Sequence, residues 1–219
     1  MFRQFGLNEL LMLLSGLQWT VGLTALGFAG SFALGLLLLL MRVSRSRVLR
    51  GLASGWIHVV QGTPLLGLLF VAFFALPLFG WDVSRWVAAS FAFSVYGSAF
   101  LADIWRGAVE AISLGQWEAS AALGLRRWRQ LRLVVLPQAF AIAIPPTVGF
   151  LVQLIKNTSL ASVIGVVELS REAQLVNGAT FAPFMVYGCV CILYFVLCYP
   201  LTAWSRVLEA RLAHLSPSH

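Results

Sequence analysis

Apolar residues fall into five long runs along the chain, parted by short polar stretches. Trp19 to Met41 is the cleanest; Trp56 to Phe79 is interrupted at Gln61-Gly62-Thr63-Pro64. Val87 to Ile104, Phe140 to Ile155 and Ala182 to Trp204 complete the set. A helix needs about 20 mainly apolar residues to cross the ~30 Å hydrocarbon core of a bilayer, so each run predicts one spanning helix. Phe2 to Leu17, ahead of the first run, reads as a short amphipathic segment at the interface. The first run exceeds the about 7–15 apolar residues of a signal peptide, and no small-x-small cleavage pattern follows before Arg42, so a retained span is expected. Pro64 predicts a kink or a helix entry, and Pro145-Pro146 a bend in span four. Gly22, Gly27, Gly30 and Gly35 allow close packing on span one, within the chain or against a second copy. The expected fold is an all-α membrane protein of five transmembrane helices in one domain, residues 1–219.

Composition agrees. Residues are 60% hydrophobic and 11% charged, against roughly 25% charged in a soluble domain. A pI near 10.2 raises nucleic acid as a partner, but the arginines sit at the ends of apolar runs rather than on one polar face, so none is expected. Cys189, Cys191 and Cys198 share one apolar run at a spacing that suits neither zinc nor a disulfide framework. His58 and His214 have no companions at ligand spacing, so no metal is expected.

The arginines also set an orientation. Arg42, Arg45, Arg47 and Arg50 follow span one; Arg106, Arg126, Arg127, Arg129 and Arg132 lie between spans three and four; Arg206 and Arg211 follow span five. Only Arg3, Arg85 and Arg171 fall on the other side. Positive charge favours the cytoplasmic face, which puts the N-terminus outside and the C-terminus in the cytoplasm.

The stretch "AISLGQWEASAALGLRRWRQLRLVVLPQA", Ala111 to Ala139, is long for a helix–helix connection, where 2–8 residues are usual. Ser113 and Gln116 have capping-box spacing, the alanines favour helix, and Gly124 is a plausible stop. Arg126 to Arg132 with Trp128 suit the headgroup level before Pro137 opens the next helix. The segment, about residues 113–130, fits either an interfacial helix or a helix presented to a cytoplasmic partner.

"GQWEASAALG…LP" resembles the EAA signature of bacterial ABC importer permeases, with Glu118, Ala119, Gly124, Leu136 and Pro137 at its positions and Ser120 where a second Ala is usual. "QGTPLL" is similar to the "RGTPLL" stretch of the polar amino-acid subfamily, with Gln61 for Arg. "AFLADIWRGAVEAI" resembles "AYxAEIxRGgixAI", with Asp103 for Glu, and "LIKNTSLASVIGVVEL" resembles "LLKDTSLxSVIGVxEL", with Asn157 for Asp. The resemblance covers almost the whole chain. It implies the type I importer permease fold in a bacterial cytoplasmic (inner) membrane, working as a dimer with a second copy or a sister permease. It implies two ATP-binding cassette subunits docking at Glu118, Ala119, Ala122 and Gly124, and an extracytoplasmic solute-binding protein that delivers a polar amino acid. No cofactor is expected on this chain, with ATP held by the partner subunits. The residues agree on that point: a P-loop needs Gly-Lys-[Ser/Thr], and the only lysine sits in Ile155-Lys156-Asn157. The chain is expected not to be an enzyme.

That lone Lys156 has three readings: it snorkels to the interface, pairs with Glu168 or Asp103, or lines a polar cavity that meets substrate. Gln153, Asn157, Thr158 and Ser159 add donors and acceptors near it, and the resemblance adds Tyr96 and Ser98 on span three. An ammonium among amides and hydroxyls suits an amino-acid carboxylate, and Asn157 in place of Asp favours neutral or anionic amino acids over cationic ones. Ser162 to Gln174 reads as a short outer helix or re-entrant piece. A gradient-driven secondary transporter is disfavoured by the lack of an internal repeat, and a Ser–Lys intramembrane hydrolase by the place of Ser159 in the family motif.

Overall fold

The computed structural model describes residues 4–215, leaving aside the side chains of Leu76 and of residues 213–215. The expectations that rest on Phe2, Arg3 and the His214 side chain lie outside the described residues.

Every regular element among the described residues is helical. Helix α1 spans Leu7–Val43, about 55 Å at 1.5 Å per residue. The separate interfacial segment expected up to Leu17 is instead the opening of this one helix. Two causes are visible. The Glu9 carboxylate accepts the Gly6 N–H at 3.0 Å, satisfying a free amide at the helix start. Leu13 and Gly16 are then buried within the bundle.

Helix α2, Arg47–Gln61, begins nine residues before the expected span, with the Ser46 hydroxyl accepting the Leu49 N–H at 3.4 Å. After Pro64 come α3 (Leu65–Phe70), a π-helical turn at Val71–Ala75 and the short α4 (Leu76–Leu78). The chain bends by 101° between α2 and the Leu65–Ala75 helix. Pro64 carries no N–H and holds φ at −59°, so α2 cannot continue through it. The described residues thus hold four helices long and apolar enough to cross a membrane, or five if this broken pair counts as one.

The remaining elements are α5 (Arg85–Glu110), α6 (Leu114–Ala122), α7 (Arg127–Gln130), a π-helical turn at Leu131–Val135, α8 (Leu136–Asn157), a 3₁₀ turn at Thr158–Ile164, α9 (Leu169–Thr180) and α10 (Pro183–Leu215). The expected outer piece, Ser162 to Gln174, therefore divides between the 3₁₀ turn and α9.

Small residues join α1 to α5. The two run parallel: Gly27 meets Phe93, Gly30 meets Ser94, Ser31 meets Gly97, and Gly35 meets Leu101. A Cβ on Gly27 would lie 2.8 Å from the Phe93 Cβ. Three of the four span-one glycines therefore seat a neighbouring helix of the same chain, while Gly22 has nothing within 4 Å. Helix α8 runs the opposite way, with Phe150 stacked on Phe100 at 5.8 Å and Thr147 accepting the Trp105 indole N–H at 3.1 Å. It passes through Pro145 and Pro146 unbroken, and Ser205 of α10 donates to the Pro145 carbonyl at 3.0 Å.

This topology gathers the three arginine-rich segments at one end of the bundle. There Asp103 takes Arg106 at 3.1 Å and Arg42 at 3.6 Å. The opposite end carries Arg85, Arg171 and the paired indoles of Trp19 and Trp86, 5.2 Å apart, where an aromatic belt belongs.

Candidate functional site

At the arginine-rich end, α6 follows the C-terminus of α5 and packs against α7 and the Leu131–Val135 turn. It starts after Ser113 as expected, but the Ser113 side chain makes no capping bond, and Gln116 N–H meets the Ser113 backbone carbonyl at 3.1 Å instead. The Gln116 side chain accepts from Gln138 of α8 at 3.4 Å. Gly124 ends the segment at φ +72°, a left-handed conformation that glycine takes without steric cost.

One face of α6 is anchored. Ser120 is buried and donates to the Trp117 carbonyl at 2.9 Å. Trp117 packs on Ile112 and Val135 with their neighbours and receives the Arg127 guanidinium 5.6 Å above its ring, a cation–π contact. The other face is open: Glu118, Ala119, Ala122 and Gly124 are all exposed. A cavity of about 550 Å³ beside it is lined by residues including Glu110, Leu114, Trp117, Glu118 and Arg127. A short helix with one side fixed and a row of a carboxylate and small residues bare can seat closely in a groove.

The expected ligand residues are not all together. Lys156 and Gln153 are exposed on α8, Asn157 is half-buried, and the Gln153 side-chain amide donates to the Asn157 oxygen at 3.0 Å. Ser159 is half-buried and donates to the Lys156 carbonyl at 2.7 Å. Thr158 is buried and spends its hydroxyl on the Ile155 carbonyl at 2.7 Å. Ser98 is wholly buried against Gly35 of α1 and donates to the Val95 carbonyl at 2.7 Å, so the structure does not bring it to Lys156. Tyr96 is half-buried against Phe100 at 4.6 Å between ring centroids. The acidic residues considered as partners of Lys156 are occupied elsewhere: Asp103 by the two arginines, and Glu168 by Thr20, Tyr194 and the Arg171 amide.

A second cavity, of about 350 Å³, opens toward the arginine-rich end between Gln61, Phe100, Asp103, Gly107, Ile142 and Pro146. Sequence reasoning missed it, although Gln61 and Asp103 each stand where the resembling motifs carry another polar residue.

Residues 31–214 match the family model described as binding-protein-dependent transport system inner membrane component. Relatives include the L-cystine transport system permease protein TcyB of Bacillus subtilis, 36% identical over 92% of this chain and 86% of that protein. The glutamine transport system permease protein GlnP of Escherichia coli is 34% identical over 92% of this chain and 93% of that protein. Among solved structures, an amino acid ABC transporter with histidines superposes with a TM-score of 0.87 at 30% identity, covering 91% of this chain and 94% of that one. The inward-facing methionine transporter MetNI shares the fold alone, at 22% identity and a TM-score of 0.72, covering 94% of this chain and 99% of that one.

Proposed function

Because the chain belongs to the binding-protein-dependent transport system inner membrane component family, as a permease subunit of an amino-acid ABC transporter, we propose that it carries a neutral polar amino acid inward, driven by ATP hydrolysed on separate subunits docked at Glu118–Gly124. The observation that carries this reading is the bare face of α6. Glu118, Ala119, Ala122 and Gly124 stand exposed while Ser120 on the same helix is buried. Glu118 supplies a charge to the motor's groove, the alanines allow close approach, and Gly124 turns the chain away.

The arginine-rich end is then cytoplasmic, with the N-terminus outside. Two ATP-binding subunits pull on a pair of permeases, this chain with a second copy or a sister, and a solute-binding protein delivers the ligand at the opposite end. Movement of α6 reaches the spans through Trp117 and the Gln116–Gln138 contact. Glu118→Lys and Gly124→Asp should leave the fold intact yet uncouple transport from ATP hydrolysis. Normal uptake in both variants overturns the mechanism.

Lys156 is the proposed ligand contact, with Gln153, Asn157 and Ser159 beside it, and Tyr96 on the α5 face that packs against α8 through Phe100 and Phe150. An ammonium and neutral amides match a zwitterion whose side chain is uncharged, and the relatives named for glutamine and cystine fit the same class. Lys156→Met should raise the concentration of ligand needed for uptake. Competition among Arg, Gln and Glu tests selectivity, and a preference for Arg would refute it.

A further inference from the structure

The end opposite the arginines holds a carboxylate that the transport reading leaves unused. Glu168 is 0% exposed, and burying a carboxylate is costly unless its oxygens are fully bonded. Here they are. One oxygen, Oε1, accepts the Arg171 N–H at 2.9 Å, capping α9. The other, Oε2, accepts the Tyr194 hydroxyl of α10 at 3.2 Å and the Thr20 hydroxyl of α1 at 3.4 Å.

The partners close a circuit. The Thr20 oxygen accepts the Leu169 N–H of α9 at 3.1 Å, and the Tyr194 hydroxyl meets Ser170 Oγ at 3.2 Å. Gly16, one turn before Thr20, gives α9 room to close: a Cβ there would stand 2.9 Å from the Leu169 Cα. Capping alone does not call for glutamate, since Ser, Thr, Asp and Asn are the preferred N-caps. The longer side chain is what lets one residue cap α9 and still reach two other helices. The same segment is tethered at its other side, where Arg85 of α5 donates to the Gly165 carbonyl at 3.4 Å and Gly165 turns at φ +81°. Residues Thr158–Glu168 join this clamp directly to Lys156 and Asn157.

We infer that Glu168 is a positioning residue for translocation: its carboxylate clamps α9 and the Thr158–Ile164 turn to α1 and α10, so that the cap beside Lys156 moves as one piece with those spans. The inference rests on the importer reading for what the cap moves against, but not on Lys156 touching ligand.

The test uses the whole importer in proteoliposomes, with its ATP-binding subunits and binding protein, and three variants. Glu168→Asp keeps an N-cap acceptor but lacks the reach to Thr20 and Tyr194. Thr20→Val removes one donor and keeps the shape, and Glu168→Gln removes the charge. Glu168→Asp and Thr20→Val should assemble and hydrolyse ATP, yet move about tenfold less ligand per ATP, the size expected from losing a hydrogen bond. In both, the KM for loaded binding protein should stay unchanged, and amides 158–180 should exchange with deuterium faster. Glu168→Gln, a neutral stand-in for the protonated side chain, should keep the clamp and wild-type coupling. Wild-type coupling and wild-type exchange in Glu168→Asp would reduce Glu168 to a helix cap and overturn the inference. If Glu168→Asp fails to assemble, Thr20→Val decides by the same two readouts. Absence of ATP-driven uptake in the wild-type complex would sink the importer reading, while amide exchange in Thr20→Val would still judge the clamp.

Discussion

A methyl group added at Gly97 tests the packing that holds α1, α5 and α8 together. The Cβ of Gly97→Ala would overlap the Ser31 hydroxyl, stand 2.7 Å from the Ser31 Cβ and 3.0 Å from the Phe150 ring edge. Ser31 has no free space to yield, being fully buried with its hydroxyl 2.6 Å from the Gly27 carbonyl and 3.0 Å from that of Phe93. Overpacking of this kind costs about 1–3 kcal/mol, and forcing Ser31 off its carbonyls adds about 0.5–1.5 kcal/mol. We expect about 2–4 kcal/mol in all, read as loss of stability in denaturant unfolding of the detergent-solubilised permease. The decisive arm is the Ser31→Gly background, which removes the obstruction. There the same substitution should cost less than about 1.5 kcal/mol, giving a coupling energy of opposite sign to the single cost. A Gly97→Ala protein as stable as wild type, or one that Ser31→Gly fails to relieve, refutes the close approach of these helices.

Gly124→Ala meets no atom within 4 Å but must hold φ +72°, so it should lose about 1–2 kcal/mol of binding to the ATP-binding subunits through backbone strain alone. Gly124→Asn, which tolerates that conformation, should lose less, and equal losses in a pull-down titration would implicate side-chain bulk instead. Arg42→Gln should shift stability by less than about 1 kcal/mol, because the Arg42–Asp103 pair is part-exposed and Asp103 keeps Arg106; a larger drop in melting temperature would show that the pair is stronger than its geometry implies. Burial lifts Glu168 above the ordinary carboxylate value despite its hydrogen bonds, so the docked α9 binds a proton more tightly than an undocked, hydrated one. Docking should be strongest below the ordinary carboxylate range and weaken as pH climbs through the raised value. The groups bonded to the Glu168 carboxylate are the Tyr194 hydroxyl of α10, the Thr20 hydroxyl of α1 and the Arg171 N–H of α9, with Glu172 one turn further along α9. Amide exchange over α9, corrected for intrinsic rates, should slow on acidification more in wild type than in Glu168→Gln, where of these two carboxylates only Glu172, which burial also raises, still titrates; the same slowing in both would assign it to Glu172.

The spans were legible because an uninterrupted apolar run has few alternatives to a spanning helix. The bounds of α6 were legible for a local reason too, since Gly124 can adopt a conformation that stops the chain. Two features were hidden. The first turns of α1 carry Asn8, Glu9 and Ser15, which read as an interface segment until Glu9 is seen capping Gly6 and Leu13 is seen buried. Helix α2 begins among arginines, and only Ala53, Ile57 and Val60 of it are buried, too thin a stripe for a hydropathy window. Within the candidate site, Lys156 and Gln153 emerged exposed, whereas Ser98 is buried with its hydroxyl on the Val95 carbonyl. Polarity gave no hint of which way a serine on a small-residue helix would turn. The clamp at Glu168 draws on Thr20, 148 residues away, and no spacing along the chain encodes such a meeting.

The two π-helical turns share a design. Val71–Ala75 runs into Pro77 and Leu131–Val135 into Pro137, and in each the ring deprives the preceding carbonyls of a donor, so the widened winding is held open by covalent chemistry. At the second, the Leu136 N–H reaches back five residues to Leu131. Such a turn stores one residue of slack, and releasing it swivels the helix beyond by roughly 100°. The widened turn sits at the foot of α8, between α6 and the lysine near the far end of α8, where any change in winding would rotate the rest of the helix.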